Sequence, residues 1–335
     1  MIKLLNNPTF DNERNILNAD LFVNNLKNTL KAFNLNTKVT YEVYRNITVY
    51  NIKWTDDKTY EDVLEYRKEI SLSLGIRSEE LEVKKISDNE IEITVQNMKR
   101  EPLTLKEVLT EYKKDNTFKI ALGMDEKDNI VYFDFDKEKS LLVTGVTGSG
   151  KTNLFNNIIM NILINYDNTN LIILDSQGIN YNTYSDIYEV VNNENKIIER
   201  IKKIRKEFEE KIINKSNEKT VVLIDEIYEI LNIDNSIKDD INYLLEIGHQ
   251  ANIHLIVSTD SELEDKTYDL FKKDNISKLS FYLTSRGEYN LFMGKVPTEE
   301  LYNDGIYLGQ DKKLIRLSIP LINDIEIERV VNYKK

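Results

Sequence analysis

The most specific chemistry in the sequence lies in eight residues, Gly145-Val146-Thr147-Gly148-Ser149-Gly150-Lys151-Thr152, a G-x-x-x-x-G-K-[ST] pattern. A triphosphate is densely anionic, and backbone N–H groups surround it only where the chain curls tightly. Glycine permits that curl because it lacks a Cβ. A helix starting at Lys151 points its positive end at the anion. In such an arrangement Lys151 reaches the β- and γ-phosphates and the Thr152 hydroxyl ligates Mg2+. The expected nucleotide-contacting stretch runs from Gly145 to Asn153, with ATP and Mg2+ as cofactors.

A second group of chemical residues follows about seventy positions later. Thr220 to Glu226 reads TVVLIDE, an apolar strand ending in two carboxylates. Asp225 is expected to hold Mg2+, directly or through water. Glu226 is expected to polarise an attacking water, which favours hydrolysis over transfer to another acceptor. Acidic residues are common where a strand runs into a helix, so this signal gains its weight from the phosphate loop upstream.

Two weaker candidates complete the set. Ile253 to Asp260 reads as a neighbouring strand whose end brings Ser258, Thr259 and Asp260 towards the γ-phosphate, as sensors or simply as turn residues. His254, inside that strand, reads as a core histidine. A ring motor usually receives an arginine from a neighbouring subunit. Arg286 is the first candidate for that catalytic role and Arg316 the second.

These groups need a scaffold. Leu141-Leu142-Val143 reads as a buried strand, and Leu154, Ile158, Ile159, Ile162 and Leu163 have helical spacing. Further strands are expected at 170–175, 220–225, 254–259, 278–284 and 313–319, with a long helix over 193–214 and a terminal helix from Asn323. Alternating strands and helices imply a mostly parallel sheet covered on both faces. Upstream, residues 37–97 read as a β-β-α-β-β unit: hairpins at 38–53 and 81–95 flank a helix from Thr59 to Leu74 that stops at Gly75. Trp54 is expected in its core. A helix capped by Asp20 is expected to bury Leu21, Phe22, Leu26, Leu30 and Phe33. The expected division is an N-terminal helical segment at 1–36, a small α/β domain and linker at 37–117, and a motor domain at 118–335.

Composition bounds the class. The chain has 335 residues, 41% of them hydrophobic, and no cysteine, which excludes disulfides and Cys-ligated zinc. No apolar run is long enough to span a bilayer, and the first fifteen residues lack the apolar core of a signal peptide, so a cytoplasmic location is expected. Net charge is −12. Both parts are acidic, with 22 basic against 26 acidic residues in 1–139 and 23 against 31 in 140–335. A nucleic-acid partner would have to meet a local basic lining inside that exterior.

From about Thr37 onward the sequence resembles the FtsK/SpoIIIE-type DNA-translocating ATPases. LLVTGVTGSGKTN is similar to that family's phosphate loop, VVLIDEIYEIL to its acidic strand and IGHQANIHLIVSTD to its sensor strand. LIILDSQGINYNTYSDI, LYNDGIYL and IPLINDIEIERVV resemble its second strand, late glycine segment and closing helix. The resemblance implies a RecA-like P-loop core, a hexameric ring and ATP-driven movement of double-stranded DNA. Lys151, Thr152, Asp225 and Glu226 carry over directly. Asp260 stands where the family has Gln, Gly248-His249-Gln250 replaces Gly-Arg-Ala, and Asp175-Ser176-Gln177 replaces Asp-Pro-Lys. No counterpart of the family's membrane anchor or winged-helix DNA reader is expected.

Three functions fit. The first is a DNA translocase serving a plasmid, conjugative or other mobile element, with a membrane-anchored or relaxosome partner. The second is a protein-translocating secretion ATPase of the same superfamily, and the third a nucleotide-switched assembly protein with little turnover. Loops at 235–238 and 266–273, with Lys272 and Lys273, are candidate pore contacts.

Overall fold

The computed structural model describes residues 1–335 apart from 9–11, 79–80, 98–100, 261–268, 274 and 295–303. The chain forms two units. The smaller comprises Thr9–Pro102 and Glu126–Asn129, and the larger Met1–Pro8, Leu103–Asp125 and Ile130–Lys335.

In the smaller unit, helix α1 (Glu13–Ala32) precedes strands β1 (Thr37–Val43) and β2 (Ile47–Trp54). Helices α2 (Tyr60–Leu64) and α3 (Arg67–Ser73) follow, then β3 (Glu82–Ser87) and β4 (Glu90–Gln96). The sheet is antiparallel throughout, in the order β1-β2-β4-β3. Trp54 is fully buried, and its Nε1–H donates to the Lys58 carbonyl at 2.8 Å, as expected of a core indole.

Two expectations need correction here. Asp20 is no cap: α1 begins seven residues earlier, and Asp20 Oδ1 instead accepts the Tyr41 hydroxyl at 2.8 Å. The helix therefore buries Ala19, Val23, Leu26 and Leu30, while Leu21 stays exposed. The helix expected over 59–74 is two helices. Thr59 and Asp62 form a capping box on α2, and the Arg67 guanidinium starting α3 donates to the Ser78 carbonyl at 3.0 Å.

The larger unit opens with α4 (Leu105–Glu111), the hairpin β5 (Lys119–Met124) and β6 (Ile130–Asp134), and the short α5 (Phe135–Glu138). Strand β7 (Leu141–Thr144) leads to α6 (Lys151–Asn165), β8 (Thr169–Asp175) and β9 (Glu189–Val191). Then come α7 (Glu194–Asn214), β10 (Lys219–Asp225), α8 (Ile227–Ile233), α9 (Lys238–Ile247) and β11 (Ile253–Thr259). The last elements are β12 (Ser277–Ser280), α10 (Arg286–Met293), β13 (Asp304–Leu308), β14 (Leu314–Ser318) and α11 (Asp324–Lys334).

Ten strands make one mixed sheet in the order β6-β5-β14-β13-β12-β7-β11-β10-β8-β9. The run from β12 to β9 is parallel; β13, β14, β5 and β6 extend it antiparallel. Every residue of β7 and β11 is buried, as a sheet covered on both faces requires. This is the RecA-like P-loop architecture expected from the sequence. Strand β12 is shorter than the expected 278–284, because after Ser280 the backbone turns onto the phosphate loop: the Phe281 N–H donates to Thr144 O at 2.8 Å and the Val146 N–H to Tyr282 O at 3.1 Å. Strands β9 and β13 and helices α8 and α9 were not expected.

The P-loop helix is tied down by asparagines. Asn161 in α6 pairs with both backbone groups of Ala121, accepting its N–H at 3.2 Å and donating to its carbonyl at 3.3 Å. Asn157 Nδ2 donates to Pro320 O at 2.5 Å and Asn153 Nδ2 to the same carbonyl at 2.9 Å. Asn153, Asn157 and Asn161 recur every four residues, so they stand on one face of the helix.

Candidate functional site

Parallel register brings the chemistry to one sheet edge. Thr144 pairs with Thr259, Ile224 with Val257 and Asp225 with Asp175. The C-terminal ends of β7, β11, β10 and β8 therefore open side by side, where α/β sheets bind ligands.

After β7 the chain makes the glycine-rich turn. Gly148 and Gly150 have φ of 79° and 117°, a region that glycine enters without strain. A Cβ on Gly145 would fall 2.5 Å from Ser149 Oγ and 2.7 Å from Phe281 Cβ. Helix α6 starts at Lys151, so its first N–H groups have no intrahelical acceptor and face the turn. The Val146 and Ser149 N–H groups are engaged within the loop, by Tyr282 O and Val146 O.

Lys151 meets the carboxylates of Glu226 and Asp260 and shares a cleft with Asp225. Lys151 Nζ lies 3.2 Å from Glu226 Oε1 and donates to Asp260 Oδ1 at 2.7 Å and Gly145 O at 2.6 Å. A cleft of about 260 Å³ is lined by Thr147, Gly148, Gly150, Lys151 and Thr152 of the loop side together with Gln177, Asp225 and Glu226.

Asp225 is held at both oxygens. Ser258 donates to Oδ1 at 2.5 Å and Tyr181 to Oδ2 at 2.9 Å. The Ser258 Oγ also accepts the Glu226 N–H at 3.0 Å. Burial raises the Asp225 carboxyl above the usual range, and the two hydroxyls act against that rise. Burial likewise pushes Glu226 up to about 7, with Lys151 opposing and Asp260 and Asp225 adding to the rise. Glu226 adopts φ 53°, ψ 63°, a left-handed backbone unusual for a non-glycine residue and often found at functional positions.

The site has the features a Mg-nucleotide needs. The Tyr181 hydroxyl donates to Asp225 Oδ2, and the two expected metal holders, Thr152 and Asp225, line the same cleft. Ser149 Oγ is buried with no partner among the described residues. Among these residues no cluster of three His, Cys, Asp or Glu side chains could hold a metal unaided. Phosphate oxygens would have to supply the remaining ligands, as is usual for Mg2+ in nucleotide sites.

The other expected residues fall elsewhere. Arg286 is exposed at the first turn of α10 and does not line the cleft. Arg316 is paired with Asp304 Oδ2 at 3.1 Å. The Asn153 side chain faces the 320–322 segment, accepting the Ile322 N–H at 3.3 Å. Thr259 Oγ1 is buried without a partner among the described residues. His254 is buried, and its Nδ1–H donates to the Lys139 carbonyl at 2.8 Å. Burial lowers its pKa to about 4, so it is a neutral core residue, as expected. Lys273 is ion-paired with Glu246, and 266–268 of the proposed pore loop lie outside the described residues.

Sequence reasoning missed Tyr181. It sits at the end of a loop built by Asp175, whose carboxylate accepts the Gly178 N–H at 3.0 Å and the Asn180 N–H at 2.9 Å. Nothing in the local pattern marks a tyrosine six residues past a strand as a partner of Asp225. Only the β8–β10 pairing brings the two together.

The family model for the FtsK/SpoIIIE family matches residues 105–293, more than half of the chain. The DNA translocase FtsK of Staphylococcus aureus is 27% identical over 92% of this chain. The DNA translocase FtsK of Clostridium tetani is 25% identical over 93%. The chain spans 44% and 47% of their respective lengths. Among solved structures, the pCW3 conjugation coupling protein TcpA with ATPγS superposes with a TM-score of 0.57 at 12% identity, covering 94% of this chain and 99% of TcpA. The cytoplasmic domain of the Type VII secretion ATPase EccC of Thermomonospora curvata gives 0.55 at 15% identity, covering 82% of this chain and 34% of EccC. Matched by that model over more than half of its length, the chain belongs to the FtsK/SpoIIIE family.

Proposed function

We propose that the protein hydrolyses ATP at this cleft and uses the cycle to move double-stranded DNA through a hexameric ring of its own copies, in the service of a plasmid, conjugative or other mobile element. The observation that carries the reading is the meeting of Lys151, Asp225 and Glu226 at one sheet edge, with Lys151 Nζ 3.2 Å from Glu226 Oε1. Family membership supports the motor, and the likeness to FtsK relatives named as DNA translocases supports DNA as cargo.

In this reading the phosphates lie on the α6 N-terminus and Lys151 neutralises their charge. Thr152 and Asp225 hold Mg2+, which when bound screens the phosphates and orients them. Glu226 takes the proton from the attacking water as the bond to the γ-phosphorus forms and the leaving ADP oxygen departs. A carboxylate pushed up to about 7 suits that task near neutral pH. Ser258 and Tyr181 fix Asp225, and Arg286, exposed on α10, serves the neighbouring subunit's site in the ring.

The test is ATP turnover with and without long duplex DNA. The expected result is DNA-stimulated turnover that Glu226→Gln lowers by about 100-fold or more while nucleotide binding persists. Turnover indifferent to DNA would sink the cargo assignment. The −12 net charge favours a second reading, a motor that moves protein. Salt-sensitive DNA binding speaks for the first, and binding of a peptide without it for the second.

A further inference from the structure

Asp260 follows β11 and reaches back over the phosphate loop. Its backbone carbonyl accepts the Thr144 hydroxyl at 3.3 Å, fixing it beside the end of β7. Its carboxylate accepts from Thr147 Oγ1, at 3.4 Å to Oδ1 and 3.3 Å to Oδ2, and from Lys151 Nζ at 2.7 Å to Oδ1. The lysine's other partners are Gly145 O, Val146 O and Glu226 Oε1. One ammonium group is thus shared between two carboxylates and two carbonyls.

We infer that Asp260 is a positioning residue that competes with the terminal phosphate for Lys151, and so sets how strongly the site prefers a triphosphate to a diphosphate. This rests on the nucleotide-site reading above. Two effects act in the same direction. A phosphate oxygen that draws on Lys151 weakens the lysine's pair with Asp260. The carboxylate, held on the loop by Thr147, also repels the arriving anion. Binding is therefore coupled to withdrawal of Asp260, and with it the chain end of β11. A neutral amide there would exert neither effect. The Asp260 side chain is 46% exposed, so solvent and salt screen the interaction and the effect is moderate.

The experiment is calorimetric titration of the full chain with Mg-ATPγS and with Mg-ADP, on the wild type and on Asp260→Asn, Asp260→Ala and Asp260→Glu. At low salt the Asn and Ala variants are expected to bind Mg-ATPγS about 3- to 10-fold more tightly than the wild type. The gain should be smaller for Mg-ADP and should shrink at high ionic strength, and the Glu variant should return to wild-type affinity. Asn and Ala variants that bind Mg-ATPγS no more tightly than the wild type overturn the inference alone. A wild type that binds neither nucleotide overturns the nucleotide-site reading and this inference with it.

Discussion

Ser258 Oγ lies 2.5 Å from Asp225 Oδ1 and 3.0 Å from the Glu226 backbone nitrogen, so one hydroxyl on β11 fixes two consecutive residues at the end of β10. It donates to the first and accepts from the second. Adjacent parallel strands make this possible, because their register sets Val257 beside Ile224.

Replacing Ser258 with Ala leaves a buried carboxylate oxygen and a buried N–H each short of a partner. The expected loss is about 1–3 kcal/mol of stability, read as a lower denaturant midpoint. Turnover should fall further than nucleotide affinity does, because the lost bonds hold Asp225 and Glu226 rather than the phosphate loop. A variant with wild-type midpoint and wild-type turnover would refute this role for the hydroxyl.

Gly145→Ala tests the tightness of the turn. The added methyl would sit 2.5 Å from Ser149 Oγ and 2.7 Å from Phe281 Cβ, both well inside van der Waals contact. Overpacking of this kind costs about 1–3 kcal/mol and displaces the backbone that receives the phosphates. We expect nucleotide affinity to drop at least tenfold, measured by titration with Mg-ATPγS.

Asn161→Ala tests the tie between α6 and β5. Both backbone groups of Ala121 would lose their side-chain partner in a fully buried setting. Unfolding free energy should fall by about 2–4 kcal/mol, since each orphaned buried group costs roughly 1–3 kcal/mol. Asn161→Asp, which keeps one acceptor and loses the donor, should do no better.

His254 predicts an acid limb of stability. Its folded pKa is about 4, lowered by burial, against about 6.5 in the unfolded chain. A depressed folded value means that the unfolded state binds the proton first as pH falls. The histidine's contribution is therefore complete above pH ~6.5 and is lost progressively towards pH ~4, by about 3 kcal/mol. His254→Gln should flatten that part of the profile, checked by urea unfolding at several pH values. An unchanged slope would show that the acid limb belongs to other groups.

Much of this architecture was legible in the sequence. The phosphate loop identified itself, because the turn demands glycine and the anion demands a lysine. The apolar runs at 141–143, 220–225 and 253–259 announced strands buried on both faces. Elements with mixed patterns were harder. Helix α1 starts before the sequence suggests because Asp20 resembles a cap, whereas its partner is Tyr41, on a strand about twenty residues later. Strand β12 is shorter than its pattern suggests because the apolar run continues past Ser280, where the backbone leaves its ladder for the phosphate loop.

The sequence by itself determined the candidate inventory: an ammonium group, a hydroxyl and two carboxylates, each on an element whose local pattern is strong. Only the tertiary structure decided what surrounds them. The Tyr181 and Ser258 hydroxyls on Asp225, the hold of Asp260 on Lys151 and the asparagine ladder on α6 all join residues far apart along the chain. Such contacts depend on which strands become neighbours and in what register. That is a property of the whole packed sheet, because hydrogen bonds between side chains form only at distances that strand pairing sets.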